Sequence, residues 1–441
     1  MPKPPQPLTI MFWPESAYGP TNQCIGLADI LRERGHTIVF AAESSWAGKL
    51  APFGFIEELV DLAEPAADAD DDDDDEDAGA FWTNFIAETA PEFRKPTIEQ
   101  LSSFLEPTWQ ALIDGSMYVN DRLASIFDDL GPDAIVEDNV VAFAAIPASG
   151  RPWARIVSCN PCEVKDELVP PVFSGYATDD PREWPAFWTE YDRVLGTQIA
   201  GFDAWLREHG GPGLPSGRDY MYESPFLNMY LFPEATDYRR AASLPPTWHR
   251  LDSSVRTDAP FDVEAALPGD APIVYLSLGS LGSADVELMQ RLIDVLGATD
   301  YRVIVSEGPQ HELLTLADNM FGEEFLPQPS ILPQVDVVIT HGGNNTVTEC
   351  FHFGKPMIVL PLFWDQYDNA QRVGELNYGT RLDTYRFEDE QLTGAIASLL
   401  ADEGLKPRHL AVSQQLQASP GNVRAADVIE RLASTGEPVT S

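Results

Sequence analysis

The segment His341-Gly342-Gly343-Asn344-Asn345-Thr346 carries the densest set of groups able to bind an anion. Glycines let the backbone approach a ligand closely, and exposed amides at a helix start, with the helix dipole, favour negative charge. His341, the Asn345 amide and the Thr346 hydroxyl can each donate a hydrogen bond to a phosphate oxygen. Glu349, one turn further on, can accept hydrogen bonds from a sugar diol. Ser277, Gly279 and Ser280 follow one apolar run, and Asp365 and Gln366 follow another. Ligands of open α/β sheets lie beyond the carboxyl ends of the strands, so three strand ends would meet at one crevice. These residue types at these spacings describe a seat for a ribose diphosphate. A turn with an Asn cap would explain Gly-Gly-Asn-Asn alone, but not Glu349, Asp365 and Gln366 around it.

Two α/β halves would hold that seat. The first opens with the apolar strand Leu8–Trp13, a helix from about Asn22 to Arg34 stopped by Gly35, and the strand Thr37–Ala42. Ala134–Asp138, Arg155–Cys159 and Asn228–Phe232 are further strands. Residues 241–272 are Pro-rich and read as an interdomain linker. The second half runs through strands Ile273–Ser277 and Tyr301–Ser306, a short extended piece Glu324–Leu326, and strands Val335–Thr340 and Met357–Leu360. Helices Asp285–Leu296 and Thr346–Phe353 lie between them. The expected organisation is therefore residues 1–240, a linker at 241–272, a second domain at 273–408 and a C-terminal helix and tail at 409–441.

The 47 residues from Phe325 to Gln371 resemble the donor-binding signature of the UDP-dependent glycosyltransferases, a family that includes glucosyl-, glucuronosyl- and macrolide glycosyltransferases. They read Phe-Leu-Pro-Gln, then HGGNNTVTE, then Gly354-Lys-Pro-Met, then Pro361-Leu-Phe-Trp-Asp-Gln. The resemblance implies the GT-B fold: two Rossmann-like, doubly wound parallel-sheet domains facing a central cleft. It places Gln328 at the uracil, and Phe325 where many members stack a Trp on the base; Phe can stack with a smaller face. His341, Gly343, Asn345 and Thr346 fall at the diphosphate, with Ser277, Gly279 and Ser280 in the loop that caps it. Glu349 falls at the ribose, and Asp365 and Gln366 at the transferred sugar. Implied too are inversion of the anomeric centre in one displacement, a hinge near 235–270, and a last helix, about 409–435, that returns to the first domain. The Asp-Gln pair favours a glucose-type donor, with a thymidine-diphosphate sugar as the nearest variant. No metal or cofactor is implied beyond the nucleotide-sugar co-substrate.

The first half departs from that pattern. The family's usual base is a His just after the first strand, oriented by a later Asp. Here the loop reads Gly19-Pro20-Thr21-Asn22, and Pro20 fills the slot with no titratable group. Asp138 is the aligned partner. Three explanations stay open: Asp138 acts as the base, directly or through water; the acceptor is a carboxylate or acidic phenol needing little help; or the protein binds the donor and transfers poorly. Asp138 ranks first as the base and Glu15 second, and Tyr18, Asn22 and Phe85 are candidates for the acceptor side. The alternative function is a silent nucleotide-sugar-binding homologue that serves another enzyme. An epimerase or hydrolase on the same fold is disfavoured by the Asp-Gln pair.

Composition narrows the partners. Seventy acidic against 28 basic residues give −42, which disfavours nucleic acid and anionic membranes. The run Asp68 to Asp77 holds nine acids; removing it leaves −33, so the acidity is global. The stretch 66–79 reads as a solvated loop, and the charge suits high salt or reflects genome composition. Four cysteines give no disulfide framework, and Cys159 and Cys162 form a lone CxxC best read as ordinary thiols. No apolar run reaches membrane-span length, so the expected compartment is the cytoplasm, with the chain a monomer or dimer. Insertions rich in aromatics (Phe81, Phe85, Phe104 and Trp109; Trp184, Phe187, Tyr191 and Trp205) either line a cleft for a lipophilic small molecule or form their own core.

Overall fold

The computed structural model describes residues 7–64 and 88–441, so Phe81, Phe85 and the acidic stretch 66–79 lie outside the described residues. Among those described, Thr9–Pro14 (β1), Thr37–Glu43 (β2), Ile56–Val60 (β3), Ala134–Asp138 (β4), Trp153–Val157 (β5), Leu227–Tyr230 (β6) and Trp248–Arg250 (β7) form one parallel sheet in the order β3-β2-β1-β4-β5-β6-β7. Ile273–Ser277 (β8), Arg302–Ser306 (β9), Met320–Glu323 (β10), Val337–Thr340 (β11), Met357–Val359 (β12) and Gly379–Arg381 (β13) form the second, β10-β9-β8-β11-β12-β13. Each order reverses beside its first strand, between β1 and β4 and between β8 and β11. Those are the switch points where crevices open.

The central strands are mostly apolar because helices cover both faces, whereas edge strands such as β3 and β13 are mixed and partly exposed. In β1, Ile10 and Phe12 join a core with the Tyr18–Glu33 helix, while Met11 and Trp13 join the core on the other face. Register pairs Phe12 with Phe40 and Val136 across β2 and β4. Gly35, at φ 95, reverses the chain after the first helix. Most of the described insertion aromatics serve packing. Trp184, Phe187, Tyr191 and Phe202 are the buried face of the Trp184–Glu208 helix, and Trp109 stacks on Tyr220 at 3.9 Å.

The structure corrects several boundaries. The stretch 241–272 is not all linker, since β7 completes the first sheet. The extended piece lies at Met320–Glu323 rather than at 324–326. The C-terminal helix is two helices. Leu405–Ala418 stays on the second domain against the Asn344–Phe353 helix, and Gly421–Thr435 packs on the Tyr18–Glu33 helix. The break falls at Ser419-Pro420, where proline cannot continue a helix. Among the described residues no helix is long and apolar enough to cross a membrane.

The two domains touch across the crevice through directed hydrogen bonds. Asp368 accepts from the backbone amides of Phe173 and Gly175 at 2.7 and 2.8 Å. Asn160 donates its side-chain amide to Asn369 at 2.8 Å, and Arg372 donates to the carbonyls of Thr236 and Asp237.

Candidate active site

A cavity of about 350 Å³ lies between the carboxyl ends of the two sheets. The second domain's wall includes Ser277, Gly279, Ser280, Phe325, Gln328, His341, Gly343, Asn345, Thr346, Glu349, Asp365 and Gln366, so every donor residue named from the sequence faces one space. Glu15, Tyr18, Pro20 and Asn22 form part of the opposite wall.

His341 follows β11 directly and sits between two glycines. A Cβ on Gly279 would come within 2.7 Å of the ring, and one on Gly343 within 2.5 Å. Burial lowers the His341 pKa to about 4, so the imidazole is neutral near pH 7 and offers one N–H. The Asn344–Phe353 helix starts at the cavity. Thr346 and Glu349 are held from it by Gln328, whose side-chain amide donates at 3.2 and 2.6 Å. Burial raises the Glu349 pKa, while Arg256, 3.5 Å away, pulls it down.

Several groups already have partners across the crevice. The Asn345 side chain donates to the Gly19 carbonyl at 2.9 Å. Asp365 accepts from the Asn160 backbone amide at 2.7 Å, and burial raises its pKa to about 7. Gln366 Oε1 accepts from the amides of Leu362 and Phe363, which fixes the loop and directs its NH2 elsewhere. Phe325 is 45% exposed and meets the Tyr18 ring at 5.7 Å.

The expectation that Asp138 takes a proton directly from an acceptor is not met. Asp138 is 2% exposed and is absent from the cavity wall. It ends β4 one layer below, where Ser158 Oγ donates to its Oδ1 at 2.8 Å. Burial raises its pKa well above the usual aspartate range. Glu15, whose backbone amide donates to the Asp138 carbonyl at 2.9 Å, does reach the wall. Pro20 lies in the first turn of its helix, where a missing N–H costs nothing.

Sequence reasoning missed Ser158, Asn160, Arg256 and Asn344. Arg256 is the one Lys or Arg among the described wall residues. It stands in the Pro-rich segment, with no motif to mark it. Asn344 donates to the carbonyls of Ser158 and Leu231 at 2.8 and 3.0 Å, a cross-domain role that the signature does not signal.

Comparison with known proteins agrees with this geometry. Residues 251–421 match the family model described as UDP-glucoronosyl and UDP-glucosyl transferase. A zeaxanthin glucosyltransferase of Pseudescherichia vulneris is 28% identical, over 72% of this chain and 78% of its own. The demethyllactenocin mycarosyltransferase of Streptomyces fradiae is 23% identical over 96% of this chain and 86% of its own. The glycotransferase of kitacinnamycin has the same fold, with a TM-score of 0.68 at 22% identity over 97% of this chain and 99% of that one. The fold is thus GT-B, with two Rossmann-like parallel-sheet domains about a cleft. Residues 251–421 form a UDP-glycosyltransferase domain, and the resemblance read from the sequence holds.

Proposed function

We propose that the protein is an inverting glycosyltransferase that moves a hexose, glucose first, from UDP to a hydroxyl or carboxylate of a lipophilic small molecule. The observation that carries the reading is the single cavity in which the donor-type residues of the second domain face Glu15, Tyr18, Asn22 and Phe104 of the first. Relatives named for zeaxanthin and for oleandomycin support a lipophilic small-molecule acceptor. In this reading the diphosphate lies against His341, Gly343, Thr346 and the Gly279–Ser280 loop. A neutral imidazole and preorganised amides stabilise the departing nucleotide without reorganising. Glu349 takes the ribose diol, and Asp365 and Gln366 orient the sugar for attack.

The test is incubation with UDP-glucose, and in parallel a thymidine-diphosphate glucose, against carotenoid, phenolic, sterol and macrolide acceptors. Nucleotide release and product mass are followed. A glycosylated product, lost in His341→Ala and unchanged by EDTA, is expected. Tight UDP-glucose binding with no product from any acceptor would overturn the reading in favour of a silent nucleotide-sugar-binding protein.

A further inference from the structure

Pro20 removes the usual base, and Asp138 is walled off from the cavity, yet one side chain joins the two. Ser158 follows β5 and lines the cavity. Its hydroxyl donates to Asp138 Oδ1 at 2.8 Å, while Asp138 Oδ2 is buried without a hydrogen-bond partner among the described residues. Its backbone is anchored to the donor domain: the Ser158 carbonyl accepts from Asn344, the first residue of the donor-site helix, at 2.8 Å. Two residues on, the Asn160 amide donates to Asp365 at 2.7 Å. The 158–160 loop is therefore pinned to the donor domain at two points, with Ser158 on the cavity wall.

We propose that Ser158 is the residue that contacts the acceptor hydroxyl and relays its proton to Asp138. This rests on the transferase reading above. The acceptor O–H donates to Ser158 Oγ, and the serine proton passes to Asp138 Oδ1. The acceptor oxygen forms its bond to the anomeric carbon as the bond from that carbon to the phosphate oxygen breaks. The electron pair leaves with the nucleoside diphosphate. Asp138 ends neutral and the serine is restored, so the relay consumes no other reactant. Serine cannot hold the proton itself at neutral pH, which is why the buried carboxyl behind it is required; Asp138 acts only through Ser158.

The relay works with Asp138 ionised, so turnover should rise with pH and level off. Asp138 is faced by Glu15 after β1, Cys24 on the first helix, Glu137 on its own strand, and Cys159 and Glu163 after β5. Burial, then Glu163 and Glu15, place its titration well above the ordinary aspartate range, although Ser158 opposes the shift.

The experiment measures kcat, KM and the pH profile with UDP-glucose and whichever panel acceptor the wild type modifies. Ser158→Ala should lower kcat roughly a hundredfold to ten-thousandfold, the usual worth of general base help, with both KM values and UDP binding by calorimetry little changed. Asp138→Asn should lose as much and abolish the acid limb, the double variant should lose no more than either single one, and Ser158→Thr should recover activity. Unchanged kcat in Ser158→Ala with product still formed overturns the relay alone, as does an acid limb that vanishes in Glu15→Gln and survives in Asp138→Asn. No product from the wild type with any acceptor overturns the transferase reading and the relay together.

Discussion

His341 owes its place to the absence of two side chains. The ring fills the room that a Cβ at Gly279 or Gly343 would take. Gly343→Ala should therefore displace the imidazole and weaken UDP binding about tenfold or more, the worth of a hydrogen bond to a charged group, with melting temperature nearly unchanged. Calorimetry beside a thermal melt checks both halves. Arg256 makes a different case. A diphosphate entering this cavity meets one described cation on its wall, and that cation now faces Glu349 and Asp258. Arg256→Met should weaken UDP roughly tenfold to a hundredfold and uridine much less, and should flatten the salt dependence of UDP affinity. Equal losses for UDP and uridine would mean that Arg256 only orders Glu349. His341, Glu349 and Asp365 were legible because their spacing is local and fixed. Arg256 and Ser158 were not, because what makes them matter is a neighbour far along the chain.

At the scale of elements, long apolar strands and the helix that follows β11 could be read from pattern. Two of the three-residue strands could not. Trp248–Arg250 and Gly379–Arg381 span three residues each, too few for an alternation to show, and their pairing partners alone define them. Pro420 and Gly421 mark the break between the C-terminal helices, but the pattern on either side is otherwise continuous in helix formers and reads as one helix. Gly421 is where the chain crosses back to the first domain. A Cβ there would lie 1.9 Å from the Leu251 carbonyl oxygen and 2.1 Å from that of Ser253, both backbone atoms that cannot swing aside. Gly421→Val should cost about 1–3 kcal/mol of stability, in the range of overpacked sites. The effect should appear as a lower melting temperature and easier proteolysis of the last helix. An unchanged melt would show that the crossing has slack. The Gly421–Thr435 helix buries Ala425, Ile429 and Leu432 against the first helix, so its loss should loosen the whole first domain.

The whole molecule combines a formal charge of −42 with several buried acids, of which Asp365 and Asp368 lie at the contact between its domains. Burial raises Asp365 to about 7, and Asp368 and Glu137 to about 8; it raises Asp138 and Glu349 too. A carboxyl whose pKa is higher folded than unfolded stabilises the fold when protonated. That contribution is complete below about pH 4, the unfolded value, and drains away as pH climbs through about 7 to 8. Repulsion among the surface acids is already near its maximum in that range. Exposed acids whose pKa is lowered, such as Glu264 and Asp180, lose their contribution only in stronger acid, so they do not oppose the trend above pH 5. The melting temperature at low salt should thus fall between pH 5 and pH 8, by several degrees at roughly 2–4 °C per kcal/mol. Added salt should restore part of the loss at pH 8 by screening the surface charge. It should not restore the part due to buried carboxyls, which ions do not reach. Asp368→Asn removes the titration but keeps only one of two acceptors, since the amides of Phe173 and Gly175 donate to different carboxyl oxygens. That variant should melt below the wild type at pH 5, and the gap should narrow by pH 8, where the wild type has lost what the protonated carboxyl contributed. A wild-type melting temperature that rises with pH would place the net effect with the buried histidines instead, since burial lowers His341 and His409 to about 4 and their contribution grows as pH climbs toward about 6.5.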